Sequence, residues 1–175
     1  MIDPLRPAAI TLLGAAALLA GCNQAPDDAA PAPVLTSSAP RTADAAGEAL
    51  TAGSWRIEET ANGASAAFGT EAGEALFRMV CRRDDRAVIL TRSGVPSAPA
   101  TYRVEAGGLA ADLAMVPAAA GTEGAGEVEA VVDPTQPIIA AFADPAATIR
   151  VTAPGVPALH LPSHTGTSRV VQACS

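Results

Sequence analysis

The two histidines of the chain, His160 and His164, are the residues whose type and spacing could do metal chemistry. A separation of four residues lets one face of a helix present two imidazoles to a metal ion. Pro162 lies between them, however, and we expect the next helix to begin only at Ser163. Since the neighbouring sequence offers no evident third ligand, we predict ordinary histidines, no metal and no cofactor.

Nucleophilic catalysis has equally weak support in the sequence. Ser163 and Ser168 lie near His164, which could act as a base for a serine nucleophile. The G-x-S-x-G pattern of a nucleophile elbow is missing, and a chain without lysine cannot form a Ser-Lys dyad. We therefore predict no catalytic residue, and keep a hydrolase that uses His160 or His164 as a less favoured alternative.

Four glutamates on expected strands could pair as general acid and base. Acids that alternate along strands are far more often a solvated face, which is the interpretation that we favour here. The residues are Glu58, Glu59, Glu127 and Glu129.

The fourth kind of chemistry is attachment of lipid to a cysteine. An apolar run from Ala8 to Ala20 follows Arg6 and is too short to span a bilayer, which takes about 20 residues. It ends in Leu19-Ala20-Gly21-Cys22, which closely resembles the lipobox of bacterial lipoprotein signal peptides. An ordinary secretory signal would end in an Ala-x-Ala-like site, and Leu18-Leu19-Ala20 is not one.

The resemblance implies that residues 1–21 are a signal peptide and that Cys22 is acylated, so the lipid bilayer is a partner. Several acyl chains anchor a protein far more firmly than one chain does. Asn23, in place of the Asp that the sorting rule of this family associates with inner-membrane retention, favours the outer membrane, facing the periplasm. The net charge of -7 argues against nucleic acid as a partner.

The two remaining cysteines, Cys81 and Cys174, form an even pair in an oxidising compartment. We predict a disulfide between them, which would stabilise a core poor in aromatic side chains. Two free thiols or an intermolecular bridge remain the alternatives.

Composition divides the chain behind Cys22. Prolines spread among small and polar residues predict that residues 22–52 are a lipid-anchored disordered tether. From about Gly53 the pattern has period two, which indicates a β-rich periplasmic domain over residues 53–175.

Most of this domain is predicted as strands. A hairpin should join residues 74–81 to 86–93 through a charged turn, and a second should turn at Pro154-Gly155. The other expected strands are 54–58, 101–105, 108–113 and 126–132.

Two short helices complete the prediction. The first should be capped by Asp133 with Pro134 as its first residue, and Ser163 should cap the second, which carries Cys174 against the sheet. The fold class is therefore α+β, mainly an antiparallel sheet with two short helices near the C-terminus.

The order of short motifs from residue 54 onward resembles that of small uncharacterised lipoproteins of sphingomonad-type bacteria. It includes Trp-x-Ile at 55–57, ALFRMVC at 75–81 and RVVQAC at 169–174. The resemblance implies envelope location and architecture but no activity. We expect a non-catalytic structural or protein-binding domain with an envelope protein as a possible partner, and a lysozyme-inhibitor-like module as the alternative.

Overall fold

The computed structural model describes residues 35–36, 41–61, 63–70, 75–118 and 126–174, and only the backbone of 35–36. The predicted signal peptide, Cys22 and most of the predicted tether lie outside the described residues. The described chain is mainly antiparallel β-sheet with two short helices, which confirms the α+β prediction. The strands are β1 Leu35–Thr36, β2 Ser54–Thr60, β3 Gly63–Gly69, β4 Ala75–Arg82, β5 Ala87–Ser93, β6 Ala100–Ala106, β7 Leu109–Pro117, β8 Glu127–Val132, β9 Thr148–Ala153 and β10 Val156–Pro162, and the helices are α1 Pro137–Ala141 and α2 Thr167–Ala173.

The strands form one sheet in the order β1-β2-β3-β4-β5-β8-β7-β6-β9-β10, and every neighbouring pair is antiparallel. The sheet curls into a half-barrel, so that the residues before and within β2 reach the far edge strand β10. The Thr51 N–H donates to the carbonyl of His160 at 2.7 Å. The Trp55 Nε1–H donates to the carbonyl of Pro162 at 2.6 Å.

The concave face of the sheet holds the core. The chain has only five aromatic residues, and all of them are buried there: Trp55, Phe68, Phe77, Tyr102 and Phe142. Trp55 packs edge-on against Phe68 and Phe77, with ring centroids 5.5 and 6.4 Å apart. Phe142, which follows α1, packs against Phe77 at 6.2 Å. Four of the five aromatic rings therefore pack against one another within the core.

Both predicted hairpins form, as β4–β5 and β9–β10. Gly155 has φ +71°, which suits the third position of a type II turn after Pro154. Two strands are additional to the prediction, β1 and β3. In β3 the inward positions include Ala64 and Ala66, whose small side chains give little period-two contrast against their neighbours.

Both predicted helix starts are wrong. Asp133 does not cap α1, because its Oδ1 accepts hydrogen bonds from the N–H and hydroxyl of Thr135 within a preceding turn. The helix starts instead at Pro137, the next proline, with Gln136 as its N-cap. Ser163 does not cap α2 either: Gly166 is the N-cap, and the buried Ser163 hydroxyl donates to main-chain carbonyls.

The segment 41–52, predicted as part of the tether, makes defined contacts with the half-barrel. It begins with a small hairpin in which Ala43 pairs with Ala49, and Gly47 adopts φ +83° in the turn. Leu50 is buried, and the Arg41 guanidinium donates to the Ala147 carbonyl at 3.1 Å. We therefore extend the packed domain back from residue 53 to residue 41.

Candidate functional site

The small hairpin at 41–50 brings two carboxylates to a buried histidine of β10. Asp44 begins the turn and Glu48 follows it, and the Asp44 N–H donates to the Glu48 carbonyl at 2.9 Å. His160 lies opposite Arg150 of β9 in the sheet register. The His160 Nε2 is 3.5 Å from Asp44 Oδ2, and its Nδ1 is 3.8 Å from Glu48 Oε1. One donor atom from each of the three residues lies within 4.8 Å of the others.

Main-chain contacts hold this cluster in place. The Asp44 Oδ1 accepts the N–H groups of Ala46 and Glu48 at 2.9 and 2.8 Å. The His160 N–H donates to the Thr51 hydroxyl at 3.0 Å, and its carbonyl accepts the Thr51 N–H. Main-chain contacts therefore fix the cluster both within the 41–50 hairpin and between Thr51 and β10.

The electrostatics of the cluster favour ionised carboxylates. The hydrogen bond from the Glu48 N–H, with smaller contributions from other groups, holds the pKa of Asp44 below its ordinary value. The pKa of Glu48 is lowered mainly by its hydrogen bond from the Arg150 guanidinium, whose own pKa is raised by the same contact. A cleft of about 480 Å³ borders the cluster, with Asp44, Arg150 and His160 among its walls.

The structure separates the two histidines. His160 is on β10, whereas His164 lies before α2 and its Nδ1 accepts the Gly166 N–H at 3.0 Å. Burial lowers the pKa of His164. The two residues have different partners and share no helical face.

The candidate serines are engaged with main chain. The Ser163 hydroxyl donates to the carbonyls of Asp144 and Ala147, the latter at 2.7 Å. The Ser168 hydroxyl donates to the Thr165 carbonyl, also at 2.7 Å. Neither hydroxyl is hydrogen-bonded to His164 within the described part of the chain.

The four candidate glutamates do not pair across neighbouring strands. Glu58 and Glu59 are on β2, and Glu127 and Glu129 are on β8, with β3, β4 and β5 between them. Glu59 pairs with Arg169 at the surface, and Glu127 accepts the Ser93 hydroxyl at 2.7 Å.

The structure brings the two predicted disulfide cysteines together. Cys81 is in β4 and Cys174 ends α2, and their sulfurs are 2.14 Å apart with the Cα atoms at 5.6 Å. Both residues are buried. This arrangement fastens the C-terminal helix against the sheet.

Sequence reasoning missed the two carboxylates of the cluster and one buried cation, Arg92. Asp44 and Glu48 fell within the predicted tether, although Asp44 with Gly47 carries a turn signal. Arg92 is on β5 and is only 4% exposed, and its guanidinium donates to the main-chain carbonyls of Leu76 and Ser93. Burial lowers its pKa. Nothing in the local sequence distinguishes it from an exposed arginine.

Comparison with known proteins adds no relative. No family model matches the chain, and no curated protein or solved structure is significantly similar to it. Within the described residues, no helix is long and apolar enough to cross a bilayer.

Proposed function

We propose that this chain is a lipid-anchored envelope protein of the outer membrane, facing the periplasm, whose half-barrel is a non-catalytic domain that binds another protein. The lipobox-like run ending at Cys22 supports the anchor and the compartment. The apposed Cys81 and Cys174 support an oxidising environment, in which such a disulfide persists.

The observation that carries the binding role is an apolar stripe on the outer face of the sheet. Val80, Ile89 and Val131 are register partners across the adjacent strands β4, β5 and β8, on the side opposite the core. We call these three residues the outer stripe. Val131 is 62% exposed, which makes it the most exposed large apolar side chain of the described residues. Ile89 is only 7% exposed, so the stripe is open to solvent mainly at Val131. An exposed apolar side chain that continues a stripe across neighbouring strands is a candidate contact surface.

The surroundings of the outer stripe suggest the chemistry of its partner. Glu129 precedes Val131 by two residues on the same face, and the exposed Val116 is the register partner of Glu129. A partner with apolar side chains and a basic rim would complement this surface and the overall charge of -7. The hydroxyls of Ser163 and Ser168 and the Nδ1 of His164 are instead hydrogen-bonded to main chain, which supports a non-catalytic domain.

The anchor is tested by labelling cells with radioactive palmitate and separating their membranes. We expect the wild-type chain to be labelled and to fractionate with the outer membrane, and Cys22→Ser to be unlabelled and released from the membrane. A Cys22→Ser chain that remains acylated and membrane-bound would contradict the proposal.

The binding surface is tested by placing a photo-crosslinking amino acid at position 131 in the full chain. The matched control is position 109, because Leu109 is also an exposed apolar residue at 43% but lies outside the outer stripe. We expect a discrete protein adduct from position 131 and none from position 109. Equal adducts at both positions, or none at 131, would argue against this surface.

Lysozyme inhibition is the second candidate, favoured by the acidic charge and by Glu129 beside the outer stripe. A cationic lysozyme would fit such a surface. Inhibition at micromolar protein that is lost in Val131→Asp but kept in Leu109→Asp would support it. Absence of inhibition by the wild-type protein would eliminate lysozyme and leave the broader binding role to the crosslinking result.

A further inference from the structure

We propose that Asp44, Glu48 and His160 form a binding site for a divalent first-row transition-metal cation such as Zn²⁺. Three features point to this site: the donor atoms of the three residues, the burial of His160 and the partners that orient the two carboxylates. The site is independent of the protein-binding role of the outer stripe.

The first observation is an imidazole that the protein leaves incompletely satisfied. The His160 side chain is only 8% exposed, and its Nδ1 has no hydrogen-bond partner among the described residues. A buried polar atom without a partner is rare in native proteins, because it loses water and gains nothing in return. The closest carboxylate oxygen to this atom is Glu48 Oε1 at 3.8 Å, which is too long for a hydrogen bond.

The second observation is that each carboxylate has one oxygen held and the other facing His160. Asp44 uses Oδ1 for two main-chain N–H groups, and its Oδ2 faces the imidazole. Glu48 uses Oε2 for the Arg150 guanidinium, and its Oε1 faces the imidazole on the Nδ1 side, whereas Asp44 Oδ2 is on the Nε2 side. A single cation would therefore use one of the two ring nitrogens. This division is typical of metal sites, where outer partners orient the ligands and leave one lone pair for the cation.

A cation could contact all three donors after the side chains draw together. Zn²⁺ binds nitrogen and carboxylate oxygen at about 2.0–2.2 Å in tetrahedral geometry, so two of its ligands lie about 3.4 Å apart. The donor atoms here lie within 4.8 Å of one another. The contraction needed is therefore up to about 1.4 Å. Glu48 can supply it, because its side chain is 54% exposed.

Charge and donor type select the class of cation. Two carboxylates against the single guanidinium of Arg150 give these three side chains an excess of negative charge that a cation would offset. A ring nitrogen favours zinc, copper, iron or nickel over magnesium and calcium, which prefer oxygen ligands. Three protein ligands would leave a coordination position for water or for a group in the adjoining cleft. The bound cation would also tie the 41–50 hairpin to β10.

The test is calorimetric titration of the full-length protein, purified in detergent and freed of metal with a chelator, with ZnCl₂. We expect one site, with affinity reduced about tenfold or more in Asp44→Asn, Glu48→Gln and His160→Gln. His164→Gln is the matched control, because it removes the other histidine and should bind zinc within about twofold of the wild type. MgCl₂ should bind more than about tenfold more weakly than ZnCl₂.

Three results would overturn the proposal. One is wild-type protein that binds none of Zn²⁺, Mn²⁺ or Co²⁺ with a Kd below about 1 mM. The second is His160→Gln that retains wild-type zinc affinity, and the third is wild-type protein that binds Mg²⁺ as tightly as Zn²⁺. Either of the last two would show that the nitrogen donor is not used. If His160→Gln does not fold, Glu48→Gln decides the question, because Glu48 is at the surface and its replacement leaves the core unchanged.

Discussion

Breaking the link between Cys81 and Cys174 should be the most damaging small change to this fold. The cysteines are separated by 93 positions. The chain-entropy treatment of a loop of that length gives about 4–5 kcal/mol of stabilisation at 25 °C. Domains of ordinary size are stable by about 5–15 kcal/mol in total. Reduction should therefore remove a large part of the stability and lower the Tm by about 10–20 °C.

Urea unfolding of the oxidised and the reduced wild-type protein measures this effect without altering any side chain. The single tryptophan, Trp55, is 1% exposed and reports loss of the core through its fluorescence. The double variant Cys81→Ala/Cys174→Ala should have a urea midpoint close to that of the reduced protein, and reductant should not change it. It should be slightly less stable, because alanine also removes two buried sulfurs.

Two findings would refute the reasoning. A difference between the oxidised and reduced proteins below about 1 kcal/mol would show that loop closure does not stabilise this domain. Two free thiols in the mass spectrum of protein isolated from the cell envelope would show that the bond does not form there.

Three further predictions concern single side chains. Trp55→Phe should destabilise the protein by about 1–3 kcal/mol in urea unfolding followed by circular dichroism, because the Pro162 carbonyl loses its indole donor. His164 has a pKa lowered from 6.5 by burial, so the unfolded chain takes up its proton first and stability should fall as the pH decreases below about 6.5. In His164→Gln the urea midpoint should change less between about pH 7 and 5 than in the wild type. An equal change of the midpoint with pH in both proteins would contradict burial of His164 as the cause. Glu59→Gln should cost less than about 1 kcal/mol, since Glu59 and Arg169 are 42% and 47% exposed, and a larger loss would show a structural role for the pair.

The sheet could be predicted where large side chains alternate with polar ones. In β2, Trp55 and Ile57 are buried while Glu58 is exposed, so period two is visible in the sequence itself. The β3 strand is also packed against the core but has alanine at two inward positions, Ala64 and Ala66, so the hydropathy contrast over most of the strand is too low to indicate it. Hydrophobic patterning therefore detects strands whose buried side chains are large and misses strands whose buried side chains are small.

The helix starts were predicted wrongly for a different reason, because several nearby residues carry similar local signals for a helix start. Asp133-Pro134 and Gln136-Pro137 both present a residue followed by proline, and the stronger capping residue is the one at 133. Its carboxylate is satisfied within its own turn by Thr135, and the helix starts one proline later. Ser163 likewise prefers carbonyls reached across the fold, in the stretch after α1, which no local rule can anticipate.

The candidate site shows most clearly why composition misleads. Composition estimates how much apolar surface a segment can bury, and by that measure residues 41–52 offer only Leu50. The segment is held instead by hydrogen bonds to residues more than 100 positions away, from Arg41 to Ala147 and between Thr51 and His160. These bonds depend on the position of the β9–β10 hairpin, which exists only after the sheet has formed. Residues 41–52 contribute hydrogen-bond donors and charges to the sheet but almost no apolar surface. Their composition is therefore that of a tether, although their contacts are those of a packed domain. The carboxylates of Asp44 and Glu48 reach His160 for the same reason, so sequence patterns that predict the scaffold cannot predict this cluster.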